Sequence, residues 1–334
     1  MQNAQPLVKT ANALVAPGKG ILAADESTST IGARFAALGV ENVERNRRDY
    51  REMLVSAAGA SEFISGVILY DETLRQNCAD GTPFVDLLEE RGIIPGIKVD
   101  TRAHPLAGAP GEVVTEGLDG LRDRMAEYYE IGARFAKWRA VIAIGPHLPS
   151  SYCIEVNAHA LARYAALAQE AGLVPIIEPE VLMDGDHGID RCYDVTQDAL
   201  REVYSQLAAQ RVMLEGTLLK ANMVLSGKEA SNRAEQEEVA ERTVDCLMRN
   251  VPAAVPGIAF LSGGQGDDEA TDNLRAINIR GKEVGAPWQL TFSFARALQS
   301  TPLQIWAANG GAPLPAQKAF YHRASQTAAA RNAA

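Results

Sequence analysis

Apolar residues along the chain form eight short runs rich in Ile, Val, Leu and Phe, and longer stretches with a helical period separate several of them. The runs predict buried strands at 20–25, 63–71, 93–100, 135–144, 173–182, 213–224, 257–264 and 288–298. Between them, apolar residues recur every three or four positions at 117–131, 157–171, 196–211 and 236–250. This period predicts amphipathic helices.

The alternation of strands with helices predicts an α/β fold of the (β/α)8 barrel class. The structural alternative is a doubly wound open sheet, which would place a glycine-rich loop after the first strand. The residues found there are Glu26-Ser-Thr-Ser-Thr30, and they favour the barrel. No Pro/Gly/Ser-rich linker divides the chain, so we expect one domain over residues 1–334, with the segment from about Pro302 packed outside the barrel.

Composition narrows the classes of partner. The chain has 334 residues and a net charge of −10, which argues against nucleic acid or an anionic membrane as a partner. It has no apolar run long enough to span a membrane, and its first ten residues do not resemble a signal peptide, so we expect a cytoplasmic protein. Four scattered cysteines are expected to be free thiols.

Lys220 lies within the apolar run 216–224, which is an unusual place for a charged side chain. Burying an ammonium group costs far more free energy than the strand gains, so such a lysine indicates a function. Desolvation favours the neutral amine, which is a nucleophile toward carbonyl groups. If the strand buries Lys220 in a cleft, the sequence predicts a Schiff-base lysine.

Charged side chains also recur at the ends of three neighbouring strands. The pairs are Lys98 and Asp100, Lys137 and Arg139, and Glu178 and Glu180. Residues two apart on a strand share a face, and the carboxyl ends of barrel strands meet at the catalytic end. Together with Asp25 and Lys220 they predict a charged site, although a buried ion-pair network without catalysis would have the same pattern.

Within that site, two neighbours of Lys220 have predicted roles. Lys137 would favour the neutral form of Lys220 by charge repulsion. Glu178, on the strand between them, is placed to carry the proton that carbinolamine dehydration requires.

A phosphate site is predicted by the run Ser262-Gly263-Gly264, which follows the seventh strand. Consecutive glycines can turn backbone N–H groups toward an anion, and barrel phosphate sites commonly follow strands seven and eight. Arg296, at the predicted end of the eighth strand, would add a planar cation.

Two further groups of residues, the run 184–187 and a pair of arginines, have an explanation that needs no function. The run Asp184-Gly-Asp-His187 could bind a metal, but a solvated loop is favoured because a glycine-containing run does not fix ligand geometry. Arg34 and Arg47 are surface charges by default.

Seven regions between residues 19 and 299 match one known family. They are Lys19-Gly-Ile-Leu-Ala-Ala-Asp-Glu-Ser27, Gly96-Ile-Lys-Val-Asp100, Phe135-Ala-Lys-Trp-Arg139, Glu178-Pro-Glu180 with Asp184-Gly-Asp-His187, Leu214-Glu-Gly-Thr-Leu-Leu-Lys220, Phe260-Leu-Ser-Gly-Gly-Gln265 and Arg296-Ala-Leu-Gln299. With these motifs the chain resembles the class I fructose-bisphosphate aldolases, the metal-independent type that works through a Schiff base.

The resemblance implies a role for each matching residue. Lys220 corresponds to the Schiff-base lysine and Glu178 to the general acid and base. Asp25, Lys137 and Glu180 correspond to supporting catalytic residues, with Arg139 beside them. The pocket for the phosphate on carbon one is implied at Ser262, Gly263, Gly264, Ser293 and Arg296. Contacts near the other phosphate are implied at Arg34, Arg47 and Lys98, which replaces the surface reading of both arginines.

The implied reaction is reversible cleavage of fructose 1,6-bisphosphate, a phosphorylated sugar, into dihydroxyacetone phosphate and glyceraldehyde 3-phosphate. No cofactor or metal is implied, because the iminium ion does the work of a Lewis acid. The family also implies a homo-oligomer, commonly a tetramer. The alternatives are a Schiff-base aldolase or transaldolase for another sugar phosphate, and a non-catalytic scaffold with the same fold.

The chain departs from the family pattern at four places. Ala221 stands where a proline usually follows the Schiff-base lysine, and Ala295 stands where a glycine usually precedes the phosphate arginine. Thr30 replaces a serine, and the C-terminal tyrosine of eukaryotic relatives has no counterpart. We expect slower turnover, or another group that exchanges the enamine proton.

Overall fold

A closed barrel of parallel strands forms the centre of the computed structural model, which describes residues 4–332. The strands are β1 (Gly20–Ala24), β2 (Ile64–Leu69), β3 (Ile94–Lys98), β4 (Arg102–Pro105), β5 (Val113–Glu116), β6 (Phe135–Ile142), β7 (Val174–Val181), β8 (Leu218–Ala221), β9 (Gly257–Phe260) and β10 (Gln289–Phe294). Eight of them follow one another around the barrel as β1-β2-β3-β6-β7-β8-β9-β10, and β10 pairs back with β1. The predicted (β/α)8 barrel is confirmed.

Helices occupy the connections between the strands and both ends of the described chain. They are α1 (Ala4–Leu14), α2 (Thr28–Ala36), α3 (Glu44–Val55), α4 (Asp71–Arg75), α5 (Phe84–Glu90), α6 (Leu121–Ile131), α7 (Ser151–Glu170), α8 (Ile189–Ala209), α9 (Gln236–Asn250), α10 (Asp267–Glu283), α11 (Arg296–Ala308) and α12 (Pro313–Arg331). None of them is long and apolar enough, within residues 4–332, to cross a membrane.

Helix α7 begins six residues before its predicted start. The Ser150 side chain accepts a hydrogen bond from Cys153 N at 3.1 Å and so caps the helix N-terminus. Helix α6 begins later than predicted, because Gly120 has φ 64° and lies outside the helical conformation.

The last two barrel strands are shorter than predicted, and this corrects the position of Arg296. Strand β9 ends at Phe260, and the following turn places Gly263 and Gly264 at φ 54° and 96°, a conformation that ends a strand. Strand β10 ends at Phe294. Arg296 therefore opens helix α11 instead of ending a strand.

The amino-terminal half of the barrel interior is apolar. Helix α1 places Leu7 and Leu14 against interior side chains of the strands, among them Phe135, Ile176 and Leu218. All five side chains are at most 1% exposed. This packing closes the barrel at the end where its strands begin.

The same strand faces become charged two residues further on. In β6 Phe135 is followed by Lys137, in β7 Ile176 by Glu178, and in β8 Leu218 by Lys220. Because side chains on a strand alternate with a period of two, each charged residue points into the barrel above an apolar one. The fold therefore stacks a charged layer on an apolar layer.

The hairpin β4–β5 is an insertion that the sequence analysis did not predict. Its strands pair antiparallel between β3 and α6, outside the barrel. Each of its strands has only four residues. Neither strand contains the apolar run that identifies the barrel strands in the sequence.

Helices α11 and α12 pack against each other, and α12 also contacts α3 and α10. At the end of α12, the buried Arg331 donates a hydrogen bond to Val15 O at 2.7 Å. This contact lies at the amino-terminal end of the barrel, where α1 leads into β1.

Close packing of the apolar layer makes Gly96→Ala a sharp test of this arrangement. A methyl group on Gly96 would lie 2.2 Å from Phe135 Cζ. We expect Gly96→Ala to lower the free energy of unfolding by about 1–3 kcal/mol in urea titrations. The double variant Gly96→Ala/Phe135→Leu should lose less than the sum of the two single variants, because the smaller side chain relieves the clash. Wild-type stability of Gly96→Ala would contradict this packing.

Candidate active site

A cavity of about 1360 Å³ opens at the carboxyl-terminal end of the barrel strands. It contains most of the residues that the sequence singled out. Those that line it are Asp25, Arg34, Lys98, Lys137, Arg139, Glu178, Glu180, Lys220, Ser262, Gly263, Ser293 and Arg296. Gly264 lies next to this lining in the same turn, and Arg47 is not among the lining residues.

Four buried charged groups lie at the bottom of the cavity. Lys137 Nζ donates a hydrogen bond to Asp25 Oδ2 at 2.8 Å and lies 3.0 Å from Glu178 Oε2. Lys220 Nζ lies 2.9 Å from the other oxygen, Glu178 Oε1. The Glu178 carboxylate thus bridges two ammonium groups, and every side chain in the chain of contacts is at most 10% exposed.

The charges of neighbouring groups together affect the pKa values of these side chains more strongly than burial does. Burial alone would raise the pKa of Asp25, but the Lys137 and Lys220 ammonium groups hold this pKa well below its usual range. Glu178 shows the same balance and the same direction of its pKa. Burial would lower the pKa of Lys137, but Asp25 and Glu178 raise it. The carboxylates are therefore ionised and Lys137 is a fixed cation near neutral pH.

A second row of charges surrounds this cluster. Lys98 Nζ lies 2.6 Å from Asp100 Oδ1, and Arg139 Nε donates a hydrogen bond to Glu180. Burial would lower the pKa of Arg139, but Glu180 raises it. The three strand pairs predicted from the sequence are thus brought together in one place, with Glu180 engaged by Arg139.

A glycine turn that follows β9 borders the cavity. Positive φ angles at Gly263 and Gly264 orient successive backbone amides in a way that suits an anion. The Ser293 hydroxyl nearby is buried and has no hydrogen-bond partner among the described residues. A buried polar group without a partner costs free energy, so this hydroxyl is available to a ligand. Arg296 adds a guanidinium group to the same wall.

Arg47 differs from the other residues of the predicted set. Its guanidinium group donates to Glu72 Oε2 at 2.8 Å and to Asn42 Oδ1 at 3.0 Å, and the side chain is buried against them. These contacts engage its guanidinium group, and Arg47 is not among the residues that line the cavity, although Asn42 is. Arg34, by contrast, lines the cavity and pairs with Glu26 at 2.6 Å.

Several lining residues were not predicted as site residues. Glu26 directly follows Asp25, and alternation along a continuing strand would have pointed it to the opposite face. Because β1 ends at Ala24, Glu26 lines the cavity as well. Ser27 accepts a hydrogen bond from Thr30 N at 3.3 Å and caps α2, which brings both hydroxyls to the cavity. The polar run 26–30, directly after the first strand, was the feature of the sequence that could have predicted these lining residues.

The hairpin supplies another part of the wall. Arg102 and Ala103 of β4 and Thr115 of β5 line the cavity. Thr115 Oγ1 donates a hydrogen bond to Arg139 O at 2.8 Å, which attaches the hairpin to β6. No sequence pattern predicted this wall, because its position depends on a non-local contact.

Two departures from the family pattern are accommodated without disruption. Ala221 is buried at the end of β8, and its carbonyl oxygen accepts a hydrogen bond from Leu261 N at 3.0 Å. Ala295 has φ −103°, a value that does not require glycine.

The four cysteines are free and buried, as predicted. Burial raises the pKa of Cys78 and Cys246 to about 12 each, which keeps both as neutral thiols. Within residues 4–332, no three His, Cys, Asp or Glu side chains converge as metal ligands.

Comparisons with known proteins agree over nearly the whole chain. A family model described as fructose-bisphosphate aldolase class-I matches residues 6–334. A relative from Xanthomonas axonopodis, named probable fructose-bisphosphate aldolase class 1, is 57% identical, with 96% of each chain covered. Fructose-bisphosphate aldolase 4, cytosolic, from Arabidopsis thaliana is 54% identical over 95% of this chain and 80% of its own.

A solved structure has the same fold throughout. Fructose-bisphosphate aldolase from Plasmodium falciparum, crystallised with TRAP and a small-molecule inhibitor, matches with a TM-score of 0.97 and 46% identity. The match covers 99% of this chain and 95% of that one.

The charge cluster predicts an unusual pH dependence for Lys137→Met. In the wild type the pKa values of Asp25 and Glu178 are depressed, so their stabilisation is fully present above about pH 4 and is lost as the pH falls further. Without Lys137 their burial raises both pKa values. We expect a loss of about 3–5 kcal/mol in the free energy of unfolding at pH 7.5, and a clearly smaller loss at pH 5.

Urea titrations at both pH values measure this difference. Lys318→Met, a change of an exposed lysine on α12, is the matched control and should be neutral at both. A loss for Lys137→Met that is equal at the two pH values would contradict the proposed electrostatic role.

Proposed function

The chain belongs to the class-I fructose-bisphosphate aldolase family, and from this membership we propose how its own residues carry out the reaction. The family's reaction is the reversible cleavage of fructose 1,6-bisphosphate to dihydroxyacetone phosphate and glyceraldehyde 3-phosphate through a lysine Schiff base. The observation that carries the assignment of residues is the Glu178 carboxylate between Lys137 and Lys220, at 3.0 and 2.9 Å.

Lys220 is the nucleophile of the proposed mechanism. Its ammonium group first gives a proton to the Glu178 carboxylate, and the resulting amine adds to the ketone at carbon two of the open-chain sugar and forms a carbinolamine. Glu178 lies 2.9 Å from Lys220 Nζ, within reach to move protons to and from this nitrogen and the departing hydroxyl. Loss of water then gives an iminium ion on Lys220.

Cleavage uses the iminium ion as an electron sink. The bond between carbons three and four breaks, its electron pair moves into the iminium to give an enamine, and a carboxylate takes the proton from the carbon-four hydroxyl. Glu178 and Asp25 are the candidate bases, and Lys137 contacts both. Glyceraldehyde 3-phosphate leaves first, and protonation and hydrolysis of the enamine release dihydroxyacetone phosphate.

Lys137 and the outer charges serve as supporting groups in this proposal. Lys137 holds Asp25 and Glu178 in ionised form through the contacts given above. Glu180 fixes Arg139 beside the reacting centre, because the two form an ion pair at the cavity wall. These groups are pre-organised by the strands, which lowers the cost of orienting them during the reaction.

The substrate has two phosphate groups, and we assign a separate set of residues to each. We assign the carbon-one phosphate to Ser262, Gly263, Gly264, Ser293 and Arg296, supported by the two glycine amides and the free Ser293 hydroxyl. Arg34 and Lys98 also line the cavity and suit the distal phosphate. Arg47 acts on it indirectly, through Asn42. Binding energy from these remote groups orients the reacting bond.

Cellular context is proposed from the relatives. The Arabidopsis relatives at 54% identity are named cytosolic, and we propose a cytoplasmic location for this chain as well. We also propose a homo-oligomer, a tetramer by family resemblance, with no cofactor. Light scattering of the purified protein measures the oligomeric state. If no metal cofactor is needed, the enzyme should keep its full activity after EDTA treatment.

Schiff-base trapping tests the nucleophile. Borohydride added with dihydroxyacetone phosphate should inactivate the wild type and attach a stable adduct to one lysine. Peptide mapping is expected to find that adduct on Lys220, and Lys220→Met should give no adduct. An adduct on Lys137 instead would contradict the assignment, and no adduct in the wild type would contradict the Schiff-base mechanism.

Glu178→Gln tests the proton carrier. The amide keeps the size of the side chain but cannot exchange protons, so kcat for cleavage should fall by about 10²–10⁴. Dihydroxyacetone phosphate should still be trapped, but more slowly. Asp25→Asn is the comparison variant, because it removes the other candidate base. If Glu178→Gln left kcat unchanged, the proton-transfer role would pass to Asp25.

A further inference from the structure

Lys228 lies on a loop that the mechanism above does not use. This loop follows β8 and is attached to the loop that follows β7, which contains the run Asp184-Gly-Asp-His187. Three backbone hydrogen bonds join them: Gly227 N to His187 O at 2.8 Å, Lys228 N to Met183 O at 2.9 Å and Glu229 N to Gly185 O at 3.0 Å. The backbone of Lys228 is therefore held in place on both sides.

The end of the Lys228 side chain lies beside Gly264 of the phosphate turn. The position that a Cβ atom on Gly264 would occupy lies 3.5 Å from Lys228 Nζ and 3.9 Å from a terminal nitrogen of Arg296. Two cations thus approach the same point beside the Gly263–Gly264 amides. A single phosphate group, with three accepting oxygens, can be shared by such a pair.

Gly264 is required for this approach for two reasons. Its φ of 96° is strained for any residue with a side chain, and a Cβ atom would lie 2.9 Å from Lys228 Cε. The missing side chain therefore leaves the space through which Lys228 reaches the turn.

Asp184 holds the ammonium group at this position. Lys228 Nζ donates to Asp184 Oδ1 at 2.6 Å. The lysine side chain is 41% exposed and the aspartate 63%, so this pair contributes little free energy. A doubly charged phosphate that arrives beside Gly264 can take over the ammonium group at small cost.

We propose that Lys228 is a further phosphate-binding residue, which joins Arg296 and the Gly263–Gly264 turn around the phosphate on carbon one. The proposal rests on the proposed function, since it extends the phosphate pocket assigned there. Asp184 is its positioning residue. The run from Asp184 to His187, for which the sequence favours a solvated loop over a metal site, then serves to orient a lysine of the neighbouring loop.

The condensation reaction separates the two phosphate sites and so provides the test. Dihydroxyacetone phosphate bears only the phosphate of the carbon-one side, and glyceraldehyde 3-phosphate bears only the distal one. For Lys228→Met we expect the KM for dihydroxyacetone phosphate to rise about five- to tenfold, and the KM for glyceraldehyde 3-phosphate to stay within twofold. The concentration of dihydroxyacetone phosphate that gives half-maximal borohydride trapping should rise by the same factor.

Two control variants refine the result. Lys228→Arg keeps the cation and should retain most of the affinity, and Lys318→Met, on the exposed side of α12, should match the wild type. An unchanged KM for dihydroxyacetone phosphate, an equal rise of both KM values, or a loss in Lys228→Arg as large as in Lys228→Met would overturn the proposal. None of these outcomes affects the proposed function, which fails only if wild-type Lys220 forms no trapped adduct.

Discussion

The Glu178 carboxylate between the ammonium groups of Lys137 and Lys220 is the interaction on which this structure depends. Each of these charges would be costly to bury alone, and each is buried here because its neighbours compensate it. Such compensation works only if the atoms remain about 3 Å apart. The barrel provides this constraint, because β6, β7 and β8 are adjacent and hydrogen-bonded in parallel register.

The apolar layer below the cluster makes that constraint rigid. Leu7 and Leu14 of α1 pack with Phe135 and other strand residues and close the amino-terminal end of the barrel. Because protein interiors are close-packed, the strands cannot slide without opening cavities in this layer. The positions of the charged side chains are therefore fixed by the packing of the apolar layer, to which the charged side chains themselves do not belong.

In the proposed mechanism, strands and loops contribute different groups to the cavity. Rigid strand ends position the reacting groups, while loops and helix starts supply the anion-binding groups. Arg296 at the start of α11 and the Gly263–Gly264 turn both belong to the second class. Loops after neighbouring strands also contact each other, as Lys228 and Asp184 show. In the proposed mechanism, phosphate recognition thus depends on contacts between loops, whereas the chemistry depends on the sheet.

The sequence alone determined the barrel, the strand that carries each reacting residue, and the face to which each points. These follow from local physics: apolar runs form strands, and a period of two places Lys137, Glu178 and Lys220 on the inner side. What tertiary structure alone decided is set by contacts between distant segments. The hairpin wall, the engagement of Arg47 by Glu72 and the approach of Lys228 to Gly264 have no local signature. Their positions depend on how loops pack after the barrel has closed, and residue spacing along the chain does not encode that packing.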